Sequence, residues 1–168
     1  STELTSIKGG FDLAKISIPQ GSLSSFANYV AGLMPTQKEV NAIAQTFREL
    51  AEKEETDIYH CTQLYGIGGS IRSAAKLYGD LCNNGNRFNY LLPEHIDAIL
   101  NRYAEDPNAF AHEALRTLPD RIHTLIPGCV IIREAFKLCG GERLDICKYG
   151  VREGYLAERV LVKPVSFA

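Results

Sequence analysis

Ile58-Tyr59-His60-Cys61-Thr62-Gln63-Leu64-Tyr65-Gly66-Ile67-Gly68-Gly69-Ser70-Ile71-Arg72 is the stretch whose reading decides the fold. Residues 58–65 suit a strand, and Ile67 with three glycines marks its end. Ser70 to Tyr78 then follows helical spacing, with Ile71, Ala74, Ala75 and Leu77 apolar and Gly79 closing the helix. A strand that runs through glycines straight into a helix places free N–H groups at the turn, where they favour an anion. Ser70 adds a hydroxyl, and Arg72 is close in sequence. The plainer reading is a tight turn with Ser70 as helix cap. The pattern is not GxGxxG, and no lysine follows as in a P-loop.

Working outward, Glu3–Ile7 and Asp12–Ile18 read as two strands joined at Gly9-Gly10, a natural hairpin. Ser22 is expected to cap a helix reaching about Val30. Thr36 with Glu39 three residues on forms a capping box, ahead of the stripe Val40, Ile43, Ala44, Phe47, Leu50 and Ala51. After a loop at Asn83–Asn86, Pro93 opens a helix whose inner face is Ile96, Ile99 and Leu100. Asp106-Pro107 starts another, with Phe110, Ala114 and Leu115 apolar. Helical spacing then holds from Pro119 to Cys139. Pro127 should kink this stretch or split off its first turns, and Gly140-Gly141 should stop it. Arg143–Cys147 reads as a short buried strand and Val151–Val160 as a final helix. The order of elements suits an α/β domain with a small mixed sheet flanked by helices.

Two further places could carry chemistry. Ser1 and Glu3, two apart on a strand, point to the same side and could meet a phosphate oxygen and a magnesium ion. In Tyr149-Gly150-Val151-Arg152-Glu153-Gly154, Glu153 suits the first turn of a helix and Arg152 does not. Arg152 is therefore held either for a ligand or for a carboxylate elsewhere, and Gly154 implies close helix packing. His60, His95, His112 and His123 have no metal spacing; His95 and His112 read as solvent-side, while His123 sits beside Arg121 before the proline.

Composition bounds the rest. The 168 residues fit one domain, 45% apolar and 23% charged, with net charge −2 from 18 basic and 20 acidic side chains. That balance argues against gripping nucleic acid by charge. No apolar run approaches the roughly 20 residues of a membrane span. The five cysteines lack zinc or redox spacing, and their odd number favours free thiols in a cytoplasmic setting; Cys129, Cys139 and Cys147 read as core filler.

Taken together, four segments resemble the exopolyphosphatase / guanosine pentaphosphate phosphatase (Ppx/GppA) family. They are Ser1-Thr2-Glu3-Leu4, similar to the end of a glycine-rich phosphate loop; Ile18-Pro19-Gln20-Gly21-Ser22; Gly68-Gly69-Ser70-Ile71-Arg72, with Ser where the family has Thr; and Arg121 through Pro127-Gly128 with Tyr149–Gly154. The resemblance implies an actin-like ATPase or ribonuclease-H-like lobe. Residues 1–168 would form a single domain, the C-terminal lobe of a two-lobed phosphohydrolase whose N-terminal lobe, bearing the general base, lies outside this chain. It further implies cleavage of phosphoanhydride bonds in inorganic polyphosphate or guanosine pentaphosphate, with Mg2+ assisting. Ser1, Gly68, Gly69, Ser70, Arg72, Arg121 and Arg152 would face phosphate and Glu3 the metal, leaving the lobe alone inactive. The alternative is a non-catalytic nucleotide- or polyphosphate-binding sensor module. A sugar-kinase or chaperone-ATPase lobe fits the Arg152-Glu153-Gly154 ending less well. The unpaired edge of the first strand also leads to an expectation of self-association as a homodimer.

Overall fold

The computed structural model describes residues 1–54, 60–82 and 84–161. Its strands are β1 (Thr2–Lys8), β2 (Phe11–Ile18), β3 (Gln63–Gly66), β4 (Tyr90–Leu91) and β5 (Arg143–Ile146). Its helices are α1 (Ser22–Tyr29), α2 (Gln37–Glu52), α3 (Gly69–Cys82), α4 (Pro93–Glu105), α5 (Pro107–Thr117), α6 (Ile122–Cys139) and α7 (Val151–Tyr155). The expected α/β class holds, with two separate small sheets. β1 and β2 form the hairpin, turning through Gly9 and Gly10, both at positive φ. β5 lies between β3, which it pairs in parallel, and β4, which it pairs antiparallel, so this second sheet is mixed.

α6 organises the packing. Its middle is buried all round, as expected for the most apolar helix of the chain, and α1 to α5 all pack against it. One core joins α2 to α6 and the mixed sheet through residues such as Ile43, Leu77, Ile99, Phe110, Ile126 and Leu144. A second core fastens the hairpin to α2 and α6 through Ile16, Ile18, Phe47, Ala51 and Ile131. Cys129 and Cys139 are buried, as the sequence indicated, and burial pushes the Cys129 thiol up to about 12. Cys147 is only half-buried.

Several boundaries differ from the sequence expectation, each for a visible reason. β3 begins at Gln63. Ile58 and Tyr59 lie outside the described residues, and Cys61 and Thr62 instead tie the chain to the end of α6. Cys61 N–H donates to the Cys139 carbonyl at 2.9 Å, and the Thr62 carbonyl accepts from Glu142 and Arg143 at 2.8 and 3.0 Å. α3 runs through Gly79 to Cys82, because this glycine lets the Asn86 carbonyl rest against the helix. Pro127 does not split α6; the break comes earlier, as a 3-10 turn at Pro119–Arg121. Gly21 rather than Ser22 takes the cap position of α1. His95 is buried and stacked on Tyr78 at 4.0 Å, whereas Leu115 is exposed. After Tyr155 the backbone widens into a π-helical stretch, Leu156–Leu161, and Gly154 packs against nothing within 4 Å. The two-residue β4 was not anticipated.

Candidate functional site

The turn after β3 sits at the C-terminal end of its strand and leads directly into α3, as the sequence indicated. Gly66 ends β3 against Leu144 and Ile71: a Cβ there would lie 2.5 and 2.8 Å from their side chains. Gly68 takes φ +138°, a backbone conformation that side chains disfavour, and a Cβ there would meet open space. The absent side chain thus leaves one face of the turn uncovered. The first N–H groups of α3 have no acceptor within the helix, and they start from this face.

Two other helix starts converge on the turn. Ser22, the first residue of α1, places its hydroxyl 3.0 Å from that of Ser70. Gly128 of α6 lies beneath both serines, and a Cβ on it would come within 3.3 Å of Ser70 Cβ and 3.5 Å of Ser22 Cβ. Arg121, in the 3-10 turn before α6, lays its guanidinium over Gly69 so closely that a Cβ there would fall 2.7 Å from Nη1. Glycine at 69 and arginine at 121 are therefore a matched pair. The guanidinium is a planar donor set suited to phosphate oxygens.

Ser1 joins this group through its backbone, which crosses Gly21 so tightly that a Cβ would lie 3.0 Å from Ser1 N. Strand alternation puts Ser1 and Glu3 on one side. The Ser17 hydroxyl, donating to Glu3 Oε1 at 2.8 Å, holds that carboxyl below the usual carboxylate range; Ser1 and the charge of Lys15 add to the effect. Glu3 is thus ionised at neutral pH on the exposed face of the hairpin.

Arg72 and Arg152 form a second group at the margin. Gly150 touches Ile67 of the turn, its virtual Cβ 3.7 Å from Ile67 Cγ2. Gly150 N–H donates to Glu153 Oε2 at 2.8 Å, which pulls the Glu153 carboxyl down, and the charges of Arg152 and Arg72 pull it further. Glu153 therefore sits in the first turn, as expected, and also accepts from the cap residue's N–H, while both arginines feel its charge. The side chain lying nearest Gly69 is that of Arg121 and not Arg152. None of Arg72, Arg121 and Arg152 has a carboxylate oxygen within 4 Å among the described residues. His123 lies against the ring of Phe26 at 5.0 Å, a packing role.

Ser22 and Gly128 are the residues to which the sequence alone assigned no site role. Helical spacing shows Gly128 two turns into α6 but not that two serines from other helices meet there. Among the described residues no three acidic, histidine or cysteine side chains cluster as a metal cage. A magnesium ion that keeps several waters and binds substrate phosphates needs only one or two carboxylates, and Glu3 beside a hydroxyl fits that demand.

Two solved structures share this arrangement of elements. The crystal structure of the Aquifex aeolicus member of the Ppx/GppA family matches at TM-score 0.72 and 22% identity, over 95% of this chain and 52% of that one. A type II variant of the Aquifex aeolicus Ppx/GppA phosphatase matches at TM-score 0.74 and 20% identity, over 94% and 53%. The fold is that of the Ppx/GppA structures. This chain spans about half their length. No family model and no curated protein sequence matches it. The expected α/β fold is thus the fold observed.

Proposed function

We propose that this chain is one lobe of a two-lobed phosphohydrolase that cleaves phosphoanhydride bonds of inorganic polyphosphate or guanosine pentaphosphate. The observation that carries the reading is the fit of the Arg121 guanidinium over Gly69, beside a helix start and two serine hydroxyls. Fold likeness to Ppx/GppA structures, about half of whose length the chain covers, supports the division into lobes.

In this reading the N–H groups of Gly69 and Ser70 and the Arg121 guanidinium hold oxygens of the phosphoryl group, and charge developing there is met by donors already in place. The open face at Gly68 admits the phosphate close to the backbone. Ser1 adds a hydroxyl, and Arg72 and Arg152 raise the local positive potential at the margin. Glu3 would hold a divalent cation, which when bound neutralises phosphate oxygens and orients the displacement. The general base comes from the other lobe, so this chain alone leaves the reacting water unpositioned and is inactive.

The test has two arms. The 168-residue chain, given magnesium and polyphosphate, should release phosphate no faster than its Glu3→Ala variant. In a protein that joins it to the other lobe, Gly68→Val should cut hydrolysis at least about tenfold, roughly 1.4 kcal/mol of barrier. Thermal unfolding on the same sample separates loss of chemistry from loss of fold. Normal folding with normal hydrolysis would return the turn to a helix start. Tight binding without turnover in the joined protein would mark a sensor module instead.

A further inference from the structure

On the far part of α6, distant from the turn, one carboxylate is sunk among three cations. Glu134 is 2% exposed. Its Oε2 accepts from Arg48 Nη1 of α2 at 2.8 Å and its Oε1 from Lys137 Nζ at 3.0 Å. Arg133 Nε approaches Oε1 to 3.4 Å without hydrogen-bond geometry and is buried with no partner. Above them lies an open cleft of about 490 Å³ between α2 and α6. Its polar lining residues are these four with Asn41 and Gln45, and its apolar ones are Ala42 and Ala44.

A single cation would neutralise a buried glutamate, yet three surround this one. The lining carries an excess of two positive charges, which Glu49, held to Gln45 at 2.7 Å, reduces at the rim. Arg133 Nε is buried without an acceptor, and a quarter of the Arg133 side chain remains exposed. Lys137 and Arg48 are half-exposed and can reach a ligand from the cleft side. The wall is only slightly more polar than apolar, so the excess positive charge is what favours an anionic guest, and the volume falls within the roughly 300–1,000 Å³ of small-molecule pockets.

We propose that the cleft between α2 and α6 binds a multivalent phosphate-class oxyanion, with Arg133 and Lys137 as its principal donors and Glu134 positioning them. The site lies about 18–24 Å along α6 from Arg121, at 1.5 Å per residue. It is separate from the turn and does not depend on the hydrolytic reading.

Pyrophosphate, without added metal, is the probe. Titrated into the chain carrying Arg121→Gln, it should still bind saturably. Adding Arg133→Gln and Lys137→Gln, which leave the Arg48–Glu134 pair intact, should weaken that binding at least tenfold. In the parent chain, amide NMR shifts on pyrophosphate addition should include Gln45, Arg133, Glu134 and Lys137. Undiminished binding in the triple variant overturns the proposal. So does the absence of shifts at those four residues, a measurement that holds even if the triple variant unfolds. Loss of all binding with Arg121→Gln alone would also overturn it, leaving the turn as the only oxyanion site detected.

Discussion

The two ends of α6 solve opposite problems with similar side chains. At the N-terminal end, Arg121 lies on a glycine, and no described carboxylate is within ion-pair distance of it. Gly128 lets α1 and α3 bring Ser22 and Ser70 together. Polar groups there are gathered, the two hydroxyls bonded only to each other among the described residues and the guanidinium left without a carboxylate. At the C-terminal end, Arg48, Arg133 and Lys137 close around Glu134, and cations there also suit the negative end of the helix dipole. One end resembles a place kept open for a ligand; the other is first a structural knot and only then an excess of charge. The lesson is that an arginine's use is read from what faces it rather than from its position on a helix.

The comparison breaks if the Glu134 knot is not structural. Glu134→Ala strands three cations, and removing one partner of a buried ion pair typically costs about 3–5 kcal/mol. Because Arg48 and Lys137 can turn to water, about 2–3 kcal/mol is expected here, or roughly 5–10 °C in Tm for a chain of this size. A loss under about 1 kcal/mol in thermal or urea unfolding would dissolve the contrast. The pH dependence gives an independent check. Burial raises the Glu134 pKa, but the hydrogen bonds and charges of Lys137 and Arg48 outweigh it, so the folded value lies below the ordinary 4.5. A depressed carboxylate stabilises the fold above its unfolded pKa, and that contribution is lost as pH falls through the folded one. The stability advantage of the parent over Glu134→Gln should be full near neutrality, shrink below about pH 4.5 and vanish below the folded pKa.

The open end is sharpened by crowding it. Gly128→Val places methyls against Ser70 and Ser22, where even a Cβ is 3.3 and 3.5 Å from their side chains. Overpacking costs about 1–3 kcal/mol, partly offset because valine is a better helix former than glycine. A net loss of about 1–2 kcal/mol is expected. Pyrophosphate binding at the turn should weaken while the amide shifts at Arg133 and Lys137 persist. Equal damage at both ends would show that α6 transmits the disturbance along its length.

Sequence periodicity made most of the frame legible, because it reports burial on one face of one element. The hairpin, the Thr36–Glu39 capping box and the Pro93 and Asp106 helix starts follow from local rules, and the structure shows Asp106 accepting from Asn108 and Ala109. What failed depended on distant partners. Gly79 reads as a stop until Asn86 is seen resting on it, and His95 reads as solvent-facing until Tyr78 and Phe88 enclose it. β4 is two residues long and exists only because β5 offers an edge. At the site, the glycine turn is readable as a strand-to-helix junction, but the meeting of Gly69 with Arg121 spans nearly a third of the chain and has no local signature. The Glu134 knot was invisible for the same reason: its Arg48 partner is 86 residues away.

The smallest expected stability effect is at the residue given the largest functional role. Arg121 is exposed, and no described carboxylate lies within 4 Å of it, so Arg121→Gln removes no buried contact. Surface changes away from caps and cores usually stay within about 0.5 kcal/mol. Thermal unfolding of Arg121→Gln should therefore match the parent within that margin. The variant should nevertheless lose pyrophosphate binding at the turn, because a guanidinium-to-phosphate contact is charge-assisted and bidentate. Arg121→Lys is the stricter control, since it keeps the charge but not the planar fork, and it should restore only part of the binding. Full rescue by lysine would mean that the turn needs only positive potential. Destabilisation by Arg121→Gln well beyond the margin would mean that the guanidinium holds the turn together, and the two ends of α6 would then both be structural.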